Sequence, residues 1–133
     1  METGKKVVTD YTVESMRYLY LLNATAPGGS GKRATVPGYR VGGKTGTAEK
    51  VVNGRYSSTV RFNAFLAAFP MDDPQYIVLS IIDEPKPEKP GAGATSGFNA
   101  APIVANIIRR SGALLGVKPE FGHESGATVV SYP

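Results

Sequence analysis

The stretch GYRVGGKTGTAEK, residues 38–50, decides the fold, because it admits two incompatible readings. Gly38, Gly43, Lys44 and Thr45 satisfy G-x-x-x-x-G-K-[ST], the pattern of a loop that cradles phosphate. Further on, YIVLSIIDE (residues 76–84) closes an apolar run on Asp83 and Glu84, as a magnesium-holding acidic strand would. The alternative frame starts at Lys44 and reads Lys44-Thr45-Gly46-Thr47 as part of a strand.

The neighbours of the stretch argue against a nucleotide hydrolase. A phosphate loop follows a buried strand and opens a helix whose N-terminus holds the anion. Upstream stands SGKRATVP (residues 30–37), polar, basic and ended by proline. Downstream, Gly46 would fall in the first turn of the required helix, where glycine costs about 1 kcal/mol against alanine. Asn53-Gly54, a strong hairpin signal, follows almost at once. The short turn PMDDPQ (residues 70–75) joins two apolar runs that must therefore be antiparallel, whereas the hydrolase fold needs parallel strands with helical crossovers. Asp83 and Glu84 then read as a polar strand end.

Composition narrows the classes further. The chain has 133 residues, 41% hydrophobic and 20% charged, which suits one soluble domain with one core. No run approaches the roughly 18 apolar residues of a membrane span. The start METGKKVVTD is charged but lacks the apolar run of a signal peptide. There is no cysteine, which excludes disulfides, thiolate metal sites and cysteine nucleophiles. The single histidine, His123, rules out a multi-histidine metal site and reads as a solvated tail residue. The net charge of +4 is scattered in pairs such as Lys32-Arg33 and Arg109-Arg110. A nucleic-acid surface would show a denser stripe, and a mild field around an anionic substrate fits the same charge.

Along the chain, residues 1–8 form a lead-in, and Thr9 or Asp10 caps a helix running to about Asn23. Val13, Met16, Leu19, Tyr20 and Leu22 predict its buried face. ATAPGGSGKRATVPG (residues 24–38) is a loop. Tyr39 to Val52, Arg61 to Phe69 and Tyr76 to Ile82 predict three antiparallel strands. Residues 85–96 form a proline- and glycine-rich loop. A second helix spans about Phe98 to Leu115, with Asn99 as cap, Pro102 in the first turn and Ile103, Ile107, Ile108, Leu114 and Leu115 as its apolar face. A mobile tail begins near residue 117. The fold class is α+β: an antiparallel sheet flanked by helices, in one domain over residues 9–116.

On a strand, Thr45 and Thr47 share one face and Lys44 takes the other. Gly46 lets another chain lie close to the backbone. A gap, a cation and two hydroxyls suit an extended peptide added at a sheet edge, its carboxylate met by the hydroxyls and the ammonium. A turn with a solvated lysine is the alternative.

GGKTGTAEK resembles the K-T-G box that penicillin-binding proteins share with class A β-lactamases. The resemblance extends over VPGYRVGGKTGTA, FNAFLAAFP, YIVLSIIDEP and GFNAAPIVANIIRR, in that order along the chain. Residues 8–115 are similar to the C-terminal part of the transpeptidase domain of a class B penicillin-binding protein, of the cell-division type that makes septal peptidoglycan. The implied activity is penicillin binding and serine D,D-transpeptidation of stem peptides, without metal or cofactor. Lys44 would hold the hydroxyl of a serine from another box and attract the substrate carboxylate. Thr45 and Thr47 would bind that carboxylate or the acid group of a β-lactam. The Thr47 N–H would form half of the oxyanion hole, and Gly46 would keep the strand open to a D-Ala-D-Ala terminus. The parent is expected in the bacterial inner membrane, with this domain outside the cytoplasmic membrane and in contact with division proteins.

The family also needs S-x-x-K, with serine as nucleophile, and an S-x-N box. None of the nine serines has lysine three positions on; Ser30 comes nearest but is followed by Arg33. S-x-N is absent too. The chain is therefore expected to be a soluble fragment that does not acylate alone and that self-associates through an uncovered sheet. A non-catalytic peptide-binding module that kept the strand and lost the boxes is the alternative function.

Overall fold

The computed structural model describes residues 4–87, 89 and 94–122. The first helix, α1 (Asp10–Thr25), is started by Thr9, whose hydroxyl accepts from the Thr12 N–H at 3.2 Å. It stops at Ala26, held extended (ψ 149°) because Pro27 disfavours the helical region for the residue before it. The expected buried stripe is corrected by the packing. Met16 and Leu19 are exposed, and Ala24 is the fully buried residue of the helix. Periodicity marks which residues share a face, but burial needs a neighbour. Contacts to the sheet come from the C-terminal half: Leu21 lies over Gly42, and Asn23 bonds to Gly43.

Three strands follow: β1 (Gly42–Val52), β2 (Arg55–Phe69) and β3 (Tyr76–Asp83). They form one antiparallel sheet in the order β1-β2-β3. Asn53 and Gly54 make the two-residue turn between β1 and β2, both with positive φ (52° and 78°), as the twist of a tight hairpin demands. The Lys44 region thus runs into a strand and not a helix, which removes the phosphate-loop reading. The acidic strand end is answered by a lysine across the sheet, with Lys50 Nζ 3.0 Å from Asp83 and 2.7 Å from Glu84.

Alternation along β2 divides the sheet into two faces. Asn63, Phe65, Ala67 and Phe69 point to one side, where Phe65 and Phe69 are fully buried. The second helix, α2 (Ala100–Ser111), covers that side. Asn99 caps it by accepting from the Ala100 N–H at 2.7 Å, and Pro102 sits in the first turn. Its buried face is not the expected one. Ala101, Val104, Ala105 and Ile108, at three- and four-residue steps, enter the core. Ile103, Ile107, Leu114 and Leu115 are exposed, and of the predicted set Ile108 alone is buried. Small residues let the helix axis approach the sheet, so the alanine side wins over the isoleucine side.

The loop between α1 and β1 contributes Ala34 and Val36 to the same core, through a 3-10 turn at Lys32–Ala34. Phe69 packs edge-on against Tyr39 at 6.0 Å and against Tyr76 at 5.8 Å. Packing continues past the expected boundary at residue 116. Val117 is buried, and the Glu120 N–H donates to the Gly38 carbonyl at 2.8 Å. His123 and the rest of the tail lie outside the described residues. The opposite face of the sheet carries Leu66, Ile77, Leu79 and Ile81, all exposed. No helix among the described residues is long and apolar enough to cross a membrane.

Candidate functional site

β1 lies at the edge of the sheet, with β2 as its one ladder partner. Register places Thr45 opposite Phe65 and Thr47 opposite Asn63, on the side covered by α2. Lys44 stands opposite Leu66, on the open side. Its side chain bends back around the edge. Nζ donates to the Thr45 carbonyl at 2.7 Å and lies 3.4 Å from Thr45 Oγ1. Lys44 and Thr45 therefore meet at the strand edge although they leave the backbone on different faces, and Thr47 stands two residues further along Thr45's face.

The edge is also where the backbone is unpaired. In an antiparallel ladder, alternate residues direct both backbone groups away from the partner strand. The Gly43 carbonyl takes its hydrogen bond from Asn23 Nδ2 (2.8 Å), and the Thr45 carbonyl takes one from Lys44. Both thus face outward, and the same alternation turns the Thr47 N–H outward.

Two serines hold the threonines. Ser30 Oγ is 2.9 Å from Thr45 Oγ1 and 2.9 Å from Asn23 Oδ1, to which it donates. Its lone pairs are left to receive the Thr45 hydroxyl proton. Ser96 Oγ donates to the Gly46 carbonyl and lies 2.6 Å from Thr47 Oγ1. By the same reasoning Thr47 donates to Ser96. Asn23, Ser30 and Ser96 went unpredicted as site residues. Ser30 had drawn notice only for its failed S-x-x-K spacing, and Ser96 belongs to a stretch read as a loop that packs nothing. It is instead fully buried. Asn63 fixes that loop from below, donating to the Ala94 carbonyl (2.6 Å) and to Asn99 Oδ1 (3.1 Å).

The two glycines of the motif differ in kind. A Cβ on Gly43 would lie 2.6 Å from the Leu66 carbonyl oxygen and 2.7 Å from the Phe65 ring. At Gly46 the nearest atoms are 3.8 Å away. Gly43 is required by packing, whereas Gly46 leaves free space on its own chain. Beside Thr45 and Ser96 opens a cleft of about 470 Å³, walled also by Lys32, Arg33, Gly97 and Phe98. Among the described residues, no cluster of histidine, aspartate or glutamate could hold a metal ion.

Residues 1–109 match the penicillin-binding protein transpeptidase domain. Stage V sporulation protein D of Bacillus subtilis is 44% identical over 115 residues, which cover 86% of this chain and 17% of that protein. A probable peptidoglycan D,D-transpeptidase, FtsI of Caulobacter vibrioides, is 40% identical over 86% of this chain and 21% of its own length. Among solved structures, the transpeptidase domain of Burkholderia pseudomallei penicillin-binding protein 3 superposes with a TM-score of 0.75 at 32% identity, covering 90% of this chain and 35% of that one. Mycobacterium tuberculosis penicillin-binding protein 3, solved with ampicillin, gives 0.72 at 29% identity over 95% of this chain and 28% of that one. The chain thus spans about a fifth of the length of these curated relatives. With residues 1–109 matching the family's domain and the fold superposing on its solved members over most of the chain, the chain belongs to the penicillin-binding protein transpeptidase family.

Proposed function

We propose that this chain is the carboxylate-binding part of a serine D,D-transpeptidase that cross-links peptidoglycan stem peptides. The observation that carries this is a strand edge, unpaired among the described residues, that holds the Lys44 ammonium against Thr45 with Thr47 next along the same face. Catalytic roles fall to Lys44 and to the backbone of Thr47; Thr45, Gly46 and the Thr47 hydroxyl bind substrate. The terminal carboxylate of a D-Ala-D-Ala peptide receives the two threonine hydroxyls, each rotating away from its serine. The Lys44 charge favours the anion. An extended peptide lies along the edge, over the gap at Gly46.

In the step served, a serine oxygen supplied from outside this chain forms an ester with the penultimate alanyl carbon. The amide bond to the terminal D-alanine breaks, and its nitrogen leaves with a proton. An amine of a second stem peptide then displaces the serine. Negative charge gathers on the carbonyl oxygen in both halves, and the outward Thr47 N–H is placed to stabilise it. A β-lactam would enter by the same contacts, as the ampicillin complex of the Mycobacterium relative suggests for that protein. By analogy with relatives named as a sporulation protein and as peptidoglycan D,D-transpeptidases, the parent is membrane-anchored, acts outside the cytoplasmic membrane and meets division proteins.

Fluorescent penicillin tests the reading. This chain alone should show no covalent label after denaturation. A longer product of the same gene should be labelled at a serine of an upstream S-x-x-K, and the label should fall in Thr45→Val/Thr47→Val. A covalent adduct on this chain by itself would overturn the assignment of the nucleophile. A gene with no S-x-x-K upstream would leave the non-catalytic peptide-binding module.

A further inference from the structure

Three cations surround Thr45, and the reading above uses one. Lys32 and Arg33 belong to the 3-10 turn and line the same cleft as Thr45 and Ser96. The Arg33 guanidinium carbon sits 4.3 Å above the Phe98 ring, a placement that orders the planar head while leaving its N–H edge available. The loop is tied to the strand by the Ser30–Thr45 bond, so the turn and the K-T-G strand form one unit.

Some of the described cations are paired with carboxylates, and others, such as Arg55, Arg61 and Arg110, are not; the cleft stands out by carrying charge of one sign. Lys6, Arg17, Arg40 and Lys50 each have a carboxylate partner. Among the described residues, Lys32, Arg33 and Lys44 have none, and no acidic side chain lines the cleft. Adjacent like charges repel, and a cleft of one sign concentrates the opposite ion. A single carboxylate seated on Thr45 and Thr47 is already met by Lys44. The Lys32-Arg33 pair walls the cleft that opens beside Thr45 and matches a further anion.

We infer that the Lys32-Arg33 turn recognises a second carboxylate on the same peptide, so that the preferred substrate is a dianionic D-Ala-D-Ala peptide with an acidic group close to its terminus. This rests on the carboxylate-binding reading of Thr45 and Thr47. The Arg33 fork suits bidentate contact with a carboxylate, and Lys32 adds a mobile point charge.

Two isosteric probes test it: N-acetyl-Glu-D-Ala-D-Ala and N-acetyl-Gln-D-Ala-D-Ala, titrated into this chain at low salt and followed by amide chemical shifts. The Glu peptide is expected to bind roughly five-fold tighter, the scale of two exposed ion pairs. Lys32→Gln/Arg33→Gln should erase that preference and leave the Gln peptide's affinity unchanged. Lys32→Glu/Arg33→Glu should reverse it. Equal affinities in the wild type, with Thr45 and Thr47 amides shifting for both peptides, would overturn the second subsite and leave the carboxylate reading standing. If neither peptide shifts those amides, the carboxylate reading fails and the second subsite with it. The wild-type comparison decides without any variant, so a folding defect cannot obscure it.

Discussion

The two faces of the sheet carry similar apolar content but differ in what covers them. On one face, Phe65, Ala67 and Phe69 are sealed under α2, and Thr45 and Thr47 extend this face to the strand edge. On the other, Leu66, Leu79, Ile77 and Ile81 lie open beside Lys44. Alternating strands prepare both faces equally. The sealed face fixes the threonines through the exposed Ser30 and the buried Ser96, while the open face leaves the lysine to find its partner within its own strand. The hydroxyls are thus held by other segments of the chain, and the ammonium by its own strand.

The sharpest way to break this contrast is to truncate one residue on each face. Phe65→Ala should cost about 3–5 kcal/mol in urea unfolding, because it empties a fully enclosed site. Leu79→Ala, at 53% exposure, should cost about 1 kcal/mol or less. Equal losses would mean that the open face is covered in solution. Gly43→Ala should destabilise by about 1–3 kcal/mol through overpacking against Phe65 and the Leu66 carbonyl. Gly46→Ala, with space around it, should alter thermal unfolding little, on the order of 0.5 kcal/mol, yet weaken peptide binding if the strand edge is the binding edge. Thr47→Val removes the hydroxyl bond to buried Ser96 and should cost about 1 kcal/mol. The open face should also drive association: sedimentation at rising concentration is expected to show dimers that Leu79→Glu suppresses, and a wild-type monomer throughout would contradict it.

The smallest effect concerns pH. Hydrogen bonds from Lys50 to Glu84 first and Asp83 second raise its pKa above the ordinary 10.5. A group raised on folding contributes stability that is complete below its unfolded pKa and is lost as pH climbs through the folded value. The contribution should therefore be constant through neutral pH and fade only above about 10.5. Nitrogen NMR of the side chain should find Lys50 titrating above the ordinary lysine value of 10.5. Lys50→Met should remove the alkaline component and lose, at pH 7, the small stabilisation that the two pairs give there.

Much of the fold was legible because local signals agreed. Thr9 and Asn99 capped helices as their side chains allow, Asn53-Gly54 made its hairpin, and the short turn at residues 70–75 forced antiparallel pairing. The helix faces were misread for one reason. A hydrophobic stripe states which residues can be buried together, and the choice between the isoleucine and alanine sides of α2 depends on how near the sheet can come. Within the candidate site, Lys44, Thr45, Gly46 and Thr47 were named from strand alternation and the resemblance to a K-T-G box. Asn23, Ser30 and Ser96 were not, since 20, 15 and 49 positions separate them from their partners.

By itself the sequence pointed to a strand at Lys44-Thr45-Gly46-Thr47 and to its alternation, and the order of its motifs resembled one family. Those follow from backbone geometry and residue order, which need no distant contact. Tertiary structure alone decided that Lys44 curls around the edge to its neighbour, that two serines from separate loops hold the threonines, and that Lys32 and Arg33 share their cleft. Each of these depends on chain segments brought together by burial of Phe65 and Phe69, and one sequence read in order carries no marker for that closeness.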